Sequence, residues 1–139
     1  KWIQKESLRY YSGKNFEGYK GLQGTLMNSK NVIVNKIIQN TYLDKKFISY
    51  CSAGRLFGVI YANGDVYPCE ILSDKKLGNL RDYKMNFMEL WEDHQAKEFK
   101  KWVKDTKCNC TFECAWSINV ISDPQFIPAL LYHSIRSKI

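Results

Sequence analysis

The residues of this sequence best suited to chemistry are its five cysteines, which fall into two groups. Cys51 and Cys69 bracket the stretch CSAGRLFGVIYANGDVYPC, and the other three form the pattern CNCTFEC, at Cys108, Cys110 and Cys114. Thiolates are soft ligands, and a cage built from sulfur alone selects zinc, copper(I) or an iron–sulfur cluster. The sequence therefore predicts a metal centre, with all five cysteines as candidate ligands.

A hairpin-turn signal, Asn63-Gly64-Asp65, lies between the first two cysteines and is flanked by apolar residues that favour strands. Because a tight hairpin brings its two ends together, we expect Cys51 and Cys69 to meet in space. Pro68 lacks a backbone N–H and is expected to end the strand pairing just before Cys69. Such a position suits a thiolate that turns out of a sheet towards a metal.

The spacing of the cysteines favours a cluster over zinc without excluding either. Structural zinc sites usually take their ligands from two C-x(2–4)-C knuckles, each formed by a tight turn. Here a whole hairpin separates the first pair, and the pattern C-x-C-x3-C offers three thiols where a knuckle needs two. A spare cysteine is awkward in a tetrahedral zinc site, whereas a four-iron cluster extends over a larger volume. A structural zinc-binding interaction module remains the alternative.

Cysteine count and charge bear on compartment and partners. An odd number of cysteines argues against a closed disulfide framework, and Cys108 and Cys110 are too close in sequence to pair without strain. Reduced thiols that serve as ligands imply the cytoplasm.

The 21 basic and 14 acidic residues give a net charge of +7, but the lysines are spread along the chain, which argues against a nucleic-acid partner. No apolar run is long enough to predict a membrane span.

The elements around the cysteines predict an α+β fold, with a small antiparallel hairpin or sheet that carries the cluster and amphipathic helices that flank it. Apolar spacing predicts helices over Trp2–Tyr11 and about Glu17–Leu43, the second with an apolar stripe through Leu22, Leu26, Ile33 and Ile37 and an interruption near Asn28-Ser29. A long helix is expected from about Asn86, its N-cap, to Asp105, followed after Asp123-Pro124 by a short one over Phe126–Ile135. The aromatic residues of the long helix are expected in the core, and His94 in solvent.

Five features in order resemble the C-terminal SPASM/twitch domain of radical S-adenosylmethionine enzymes. They are Cys51, the Gly64 hairpin that ends in Pro68-Cys69, the Leu77-Gly78-Asn79-Leu80 loop, the helix segment Phe87-Met88-Glu89-Leu90-Trp91 and the closing cysteines. The resemblance covers about residues 50–116. It implies a helical connection over residues 1–46, a cluster-binding domain over 47–118 and a helical tail over 119–139.

The resemblance also implies a cofactor and its ligands. Five cysteines limit the chain to one fully thiolate-ligated 4Fe–4S cluster, as in the single-cluster twitch variant. Cys51 and Cys69 are its first expected ligands, followed by Cys114, while Cys108 and Cys110 compete for the fourth place. The cluster would serve electron transfer or substrate positioning during modification of a peptide or a small molecule.

The C-x3-C-x2-C motif that generates the radical in this family does not occur in the printed sequence. The chain by itself is therefore expected to be inactive towards S-adenosylmethionine. We expect it to be the C-terminal part of a longer enzyme, or a module that works with an N-terminal radical S-adenosylmethionine barrel, in cis or in trans. S-adenosylmethionine and a second cluster would then bind in that barrel.

Overall fold

The computed structural model describes residues 21–44 and 46–136, so the helix predicted over Trp2–Tyr11 lies outside the described residues. Contacts divide the chain into two compact units. One, the helical unit, takes the described residues up to Ile48 together with the described residues from Cys110 onward, and the other, the sheet unit, is Ser49–Asn109. The predicted α+β class is confirmed, because the described residues contain five α-helices and one three-stranded antiparallel sheet.

The elements follow one another in the order helix, sheet, helices. They are α1 (Gly21–Asp44), β1 (Val59–Ile60), β2 (Asp65–Tyr67), β3 (Gly78–Asn79), α2 (Phe87–Trp91), α3 (His94–Asp105), α4 (Glu113–Ser122), a 3-10 turn (Pro124–Phe126) and α5 (Ile127–Arg136). Among the residues described, no helix has both the length and the apolar character that crossing a membrane requires.

The helical unit packs α1 against α4 and α5 around one apolar cluster. Its buried members are Ile33, Val34, Ile37, Trp116, Val120, Phe126 and Leu130. Asp123 begins the last helical segment by accepting a hydrogen bond from the Gln125 N–H at 3.0 Å, as the sequence predicts for that position. Helix α4 was not predicted, and its first turn carries Cys114.

Helix α1 differs from its prediction in two respects. It runs without interruption through Asn28 and Ser29. Ser29 stays within the helix because its hydroxyl is satisfied, by the Thr25 carbonyl at 2.8 Å and by the Ser134 hydroxyl at 2.9 Å. The predicted apolar stripe is buried only in its second half, since Leu22 is 76% exposed and Leu26 is 41% exposed.

The sheet unit contains the predicted hairpin. Strands β1 and β2 pair antiparallel with Val59 opposite Tyr67, and Gly64 turns the chain at a φ of +88°, where a glycine is favoured. The Gly78-Asn79 segment, predicted as a loop, is instead a third strand that pairs with β2. Two backbone bonds flank it, from the Leu77 N–H to the Val66 carbonyl and from the Leu80 N–H to the Gly64 carbonyl, both 2.8 Å.

The long helix predicted over Asn86–Asp105 is two helices. Asn86 caps α2 as predicted, accepting a hydrogen bond from the Glu89 N–H at 3.3 Å. The break between the two helices lies at Asp93. Its carboxylate caps α3 by accepting a hydrogen bond from the His94 N–H at 2.7 Å, and it also accepts a hydrogen bond from the Tyr83 hydroxyl. The core prediction for these helices holds in part. Leu90, Trp91, Phe99 and Val103 are buried, whereas Phe87 and Trp102 are half-buried, and His94 is exposed as predicted.

Asp65 is the centre of a polar network that holds the hairpin turn against β3. Its carboxylate accepts hydrogen bonds from the Asn79 side-chain amide at 2.8 Å and the Asn63 amide at 2.9 Å, and it pairs with the Lys76 ammonium. The Lys76 contact and then the Asn79 amide lower the pKa of Asp65, while the Asp65 contact raises the pKa of Lys76. The network explains why a Gly-Asp turn and a Gly-Asn strand occur together in this sequence.

We expect Asp65→Asn to remove part of the acid sensitivity of the sheet unit. A carboxyl group with a lowered folded-state pKa stabilises the fold above its unfolded pKa of about 4, and that stabilisation is lost as the pH falls through the folded value. The variant should therefore unfold more easily than the wild type near neutral pH, and the difference should shrink towards pH ~2. Urea unfolding midpoints of the variant and the wild type, measured from neutral pH down to pH ~2, test this expectation. Asp74→Asn, which changes an exposed carboxylate, is the control and should show no such convergence.

Candidate metal centre

None of the five cysteines forms a disulfide, and they differ in burial. Cys51 and Cys69 are buried, Cys108 and Cys110 are half-buried, and Cys114 is exposed. The boundary between the two units falls after Asn109, so Cys51, Cys69 and Cys108 belong to the sheet unit, and Cys110 and Cys114 belong to the helical unit. Each group is described within its own unit.

Cys51 opens a tight loop that precedes β1. The Ser52 carbonyl accepts hydrogen bonds from the N–H groups of Arg55 at 3.0 Å and Leu56 at 2.9 Å, which closes the loop directly after the cysteine. Gly54 makes the turn at a φ of +70°, and a side chain there would meet the Phe99 ring and Pro68. The loop is therefore held against α3 and against the residue that precedes Cys69.

Cys69 lies two residues after the end of β2, next to Pro68, and is the most buried of the five thiols, at 3% exposure. Burial raises the pKa of this thiol, and the charge of Cys51 raises it further, which places the two cysteines within electrostatic reach of each other. The backbone N–H groups of Ile71 and Glu70 lower the pKa of Cys69, because they donate hydrogen bonds that favour the thiolate. A buried thiolate that receives main-chain hydrogen bonds is the arrangement that tunes sulfur ligands in iron–sulfur proteins.

The closing cysteines lie where helices end and begin. Cys108 follows α3, and its N–H donates to the Val103 carbonyl at 3.1 Å. The Cys110 carbonyl accepts a hydrogen bond from the Trp116 indole N–H at 2.7 Å, which ties this cysteine to the apolar core of the helical unit. Cys114 lies in the first turn of α4, at the end of a helix where a negative charge is favoured.

Lys30 is a charged residue near Cys114 that reasoning from the sequence missed. Its ammonium donates to the Ser117 hydroxyl at 3.3 Å. Burial lowers the pKa of Lys30, while the charges of Glu113 and Cys114 oppose that effect. No sequence signal pointed to this lysine, because only the packing of α1 on α4 brings it to the cysteine.

The ligand set predicted from the sequence stays a prediction. Across residues 21–44 and 46–136, no three histidine, cysteine, aspartate or glutamate side chains form a group that could hold a metal ion. What the structure provides is a donor set of suitable chemistry: two buried free thiols within one unit, of which Cys69 receives two main-chain hydrogen bonds. Two buried thiols supply half of the donors that a cluster with four thiolate ligands needs.

The cysteine-bearing segment is similar to a known protein family. Residues 51–115, just under half of the chain, match the family model of the SPASM iron–sulfur cluster-binding domain. The match begins at Cys51 and takes in every cysteine of the sequence, and it agrees with the resemblance described over residues 50–116. No curated protein and no solved structure matches the chain.

The match supports an iron–sulfur cluster-binding role for residues 51–115. The matched segment contains the whole three-stranded sheet, α2 and α3, together with the first residues of α4. The glycines and asparagines that carried the resemblance now have structural roles. Gly64 turns the hairpin and Asn79 holds that turn, since its amide donates to the Asn63 carbonyl at 3.0 Å as well as to Asp65.

Proposed function

We propose that this chain is the auxiliary-cluster part of a radical S-adenosylmethionine enzyme and that it binds one 4Fe–4S cluster. The observation that carries the proposal is the SPASM match, which starts at the first cysteine and includes all five. Four thiolates satisfy one such cluster, and five cysteines leave too few for a second one ligated in the same way.

In this proposal Cys51 and Cys69 are the first two ligands, and two of the closing three cysteines supply the others. Burial keeps water from the Cys69 sulfur, and its two main-chain N–H donors offset the charge of the thiolate. Lys30 contributes a positive charge close to Cys114. When bound, the cluster supplies one-electron transfer, and with four thiolate ligands none of its irons is open to substrate.

The proposed partner is a radical S-adenosylmethionine barrel, joined to this chain or separate from it. That barrel would bind S-adenosylmethionine and a second cluster, and the whole assembly would modify a peptide or a small molecule. Electron transfer to or from the reaction is the role that we favour for this chain, with substrate positioning as the second possibility. We propose a cytoplasmic location, because thiols that ligate a cluster must stay reduced.

Metal analysis of the anaerobically purified chain tests this function directly. We expect about four irons and four sulfides per chain, with the broad absorption near ~400 nm of thiolate-bound iron clusters. A colourless protein that retains about one zinc would contradict the proposal and support a structural zinc module instead. Reconstitution with iron and sulfide, followed by the same analysis, separates a cluster lost during purification from a cluster that never binds.

A further inference from the structure

Ser49 is a buried residue whose hydroxyl has no role within the protein itself. The side chain belongs to the sheet unit and is 4% exposed. Its Oγ atom has no hydrogen-bond partner among the residues that the structure describes, and the Cys51 thiol is not one either. A buried hydroxyl without a partner costs about 1–3 kcal/mol, so native proteins rarely keep one unless a ligand or a water molecule satisfies it.

The burial of the neighbouring residues relates this hydroxyl to the proposed ligand Cys51. Ser49 and Cys51 are both buried, at 4% and 9% exposure, whereas Tyr50 between them is 48% exposed. The chain bends at Ser49, and the two buried side chains lie two residues apart in the same sheet unit. The Ser49 hydroxyl is therefore a buried donor without a described partner, next but one to the proposed ligand Cys51.

We propose that Ser49 is a positioning residue that donates its hydroxyl hydrogen to an inorganic sulfide of the cluster bound at Cys51. This inference rests on the proposed function and adds to it a residue that neither the cysteine pattern nor the family match identifies. A hydrogen bond to sulfur stabilises the more negative, reduced cluster and so makes the reduction potential less negative. Ser49 thereby adjusts the potential without being a ligand.

Spectroelectrochemical titration of the iron-loaded full chain tests the role of Ser49. In Ser49→Ala we expect the iron content of the wild type and a midpoint potential that is more negative. Loss of one hydrogen bond to a charged group changes the ratio of oxidised to reduced cluster by about tenfold at a fixed potential. For a one-electron couple this is a shift of about 59 mV. Ser49→Thr, which keeps the hydroxyl, should retain the wild-type potential.

Thr41→Val provides a matched control for loss of a buried hydroxyl. Thr41 lies in the helical unit, is 7% exposed, and its hydroxyl also lacks a partner among the described residues, but no cysteine is near it in sequence. We expect its removal to leave the potential unchanged.

The outcomes separate this inference from the proposed function. An unchanged potential in iron-loaded Ser49→Ala would overturn the role of Ser49 and leave the cluster proposal intact. A wild-type chain that binds no iron would overturn both. If Ser49→Ala fails to load iron, the result for Ser49→Thr decides. Iron loading and a wild-type potential in Ser49→Thr would support the inference. Failure of both variants to load iron would assign Ser49 to packing and overturn the inference.

Discussion

A Cys69→Ser chain purified without oxygen is expected to lose nearly all of its iron and sulfide. Cys69 is the most buried thiol of the protein, and its sulfur already receives two main-chain hydrogen bonds. A serine hydroxyl there is a harder and much less acidic ligand, so it cannot replace a thiolate on iron. Removal of a residue that only supports a ligand costs 10–100-fold in metal affinity, and loss of the ligand itself should exceed about 100-fold. Iron and sulfide content per chain measures the effect.

The three closing cysteines provide the matched controls for this experiment. If four thiolates hold one cluster, one of Cys108, Cys110 and Cys114 is dispensable, and its serine variant should keep wild-type iron. The other two variants should lose the cluster as Cys69→Ser does. Retention of iron in Cys69→Ser, with circular dichroism equal to that of the wild type, would remove Cys69 from the ligand set.

Gly54→Ala is expected to destabilise the sheet unit by about 2–5 kcal/mol. The residue has a φ of +70°, and an added Cβ would lie 2.7 Å from a carbon of the Phe99 ring and 3.3 Å from the Pro68 Cβ. Left-handed backbone costs a non-glycine residue about 1–2 kcal/mol, and forcing atoms into a packed core adds about 1–3 kcal/mol. Because Gly54 holds the Cys51 loop next to Pro68, the variant should also bind less iron.

Hydrogen exchange at the Leu77 amide, which donates to the Val66 carbonyl within the sheet, measures this destabilisation locally. We expect exchange at least about 30-fold faster, since each 1.36 kcal/mol corresponds to a factor of ten. Gly21→Ala is the control, because its φ is +61° and an added Cβ would meet no atom of the described residues within 4 Å. The helical unit, which contains Gly21, should lose only the stability that left-handed backbone costs a non-glycine residue, about 1–2 kcal/mol. Equal losses in the two variants would mean that the Phe99 ring moves aside without cost.

Local signals in the sequence predicted several elements correctly, for physical reasons that act over a few residues. Asn63-Gly64 specifies a hairpin because the turn needs a residue at positive φ, and Asn86 specifies a helix start because its side chain replaces a missing backbone acceptor. The aromatic spacing after Phe87 predicted buried residues, and Leu90 and Trp91 are buried. None of these predictions requires knowledge of distant contacts.

The wrong predictions concern residues whose conformation depends on distant partners. Gly78-Asn79 is a strand because β2 and Asp65 hold it, and an isolated Gly-Asn pair gives no such signal. Asp93 divides the predicted long helix because it caps α3 and also receives the Tyr83 hydroxyl. Ser29 continues α1 because Ser134, far along the chain, satisfies its hydroxyl.

The sequence by itself determined the number, order and spacing of five soft donor groups, a pattern that resembles an iron–sulfur domain. Spacing is a property of the chain, and it limits what cofactor the thiols can share. Only the tertiary structure decided which thiols are buried, that Cys69 receives main-chain hydrogen bonds and that Lys30 lies near Cys114. Burial and electrostatics depend on residues brought together from distant parts of the chain, so they follow from packing and not from spacing.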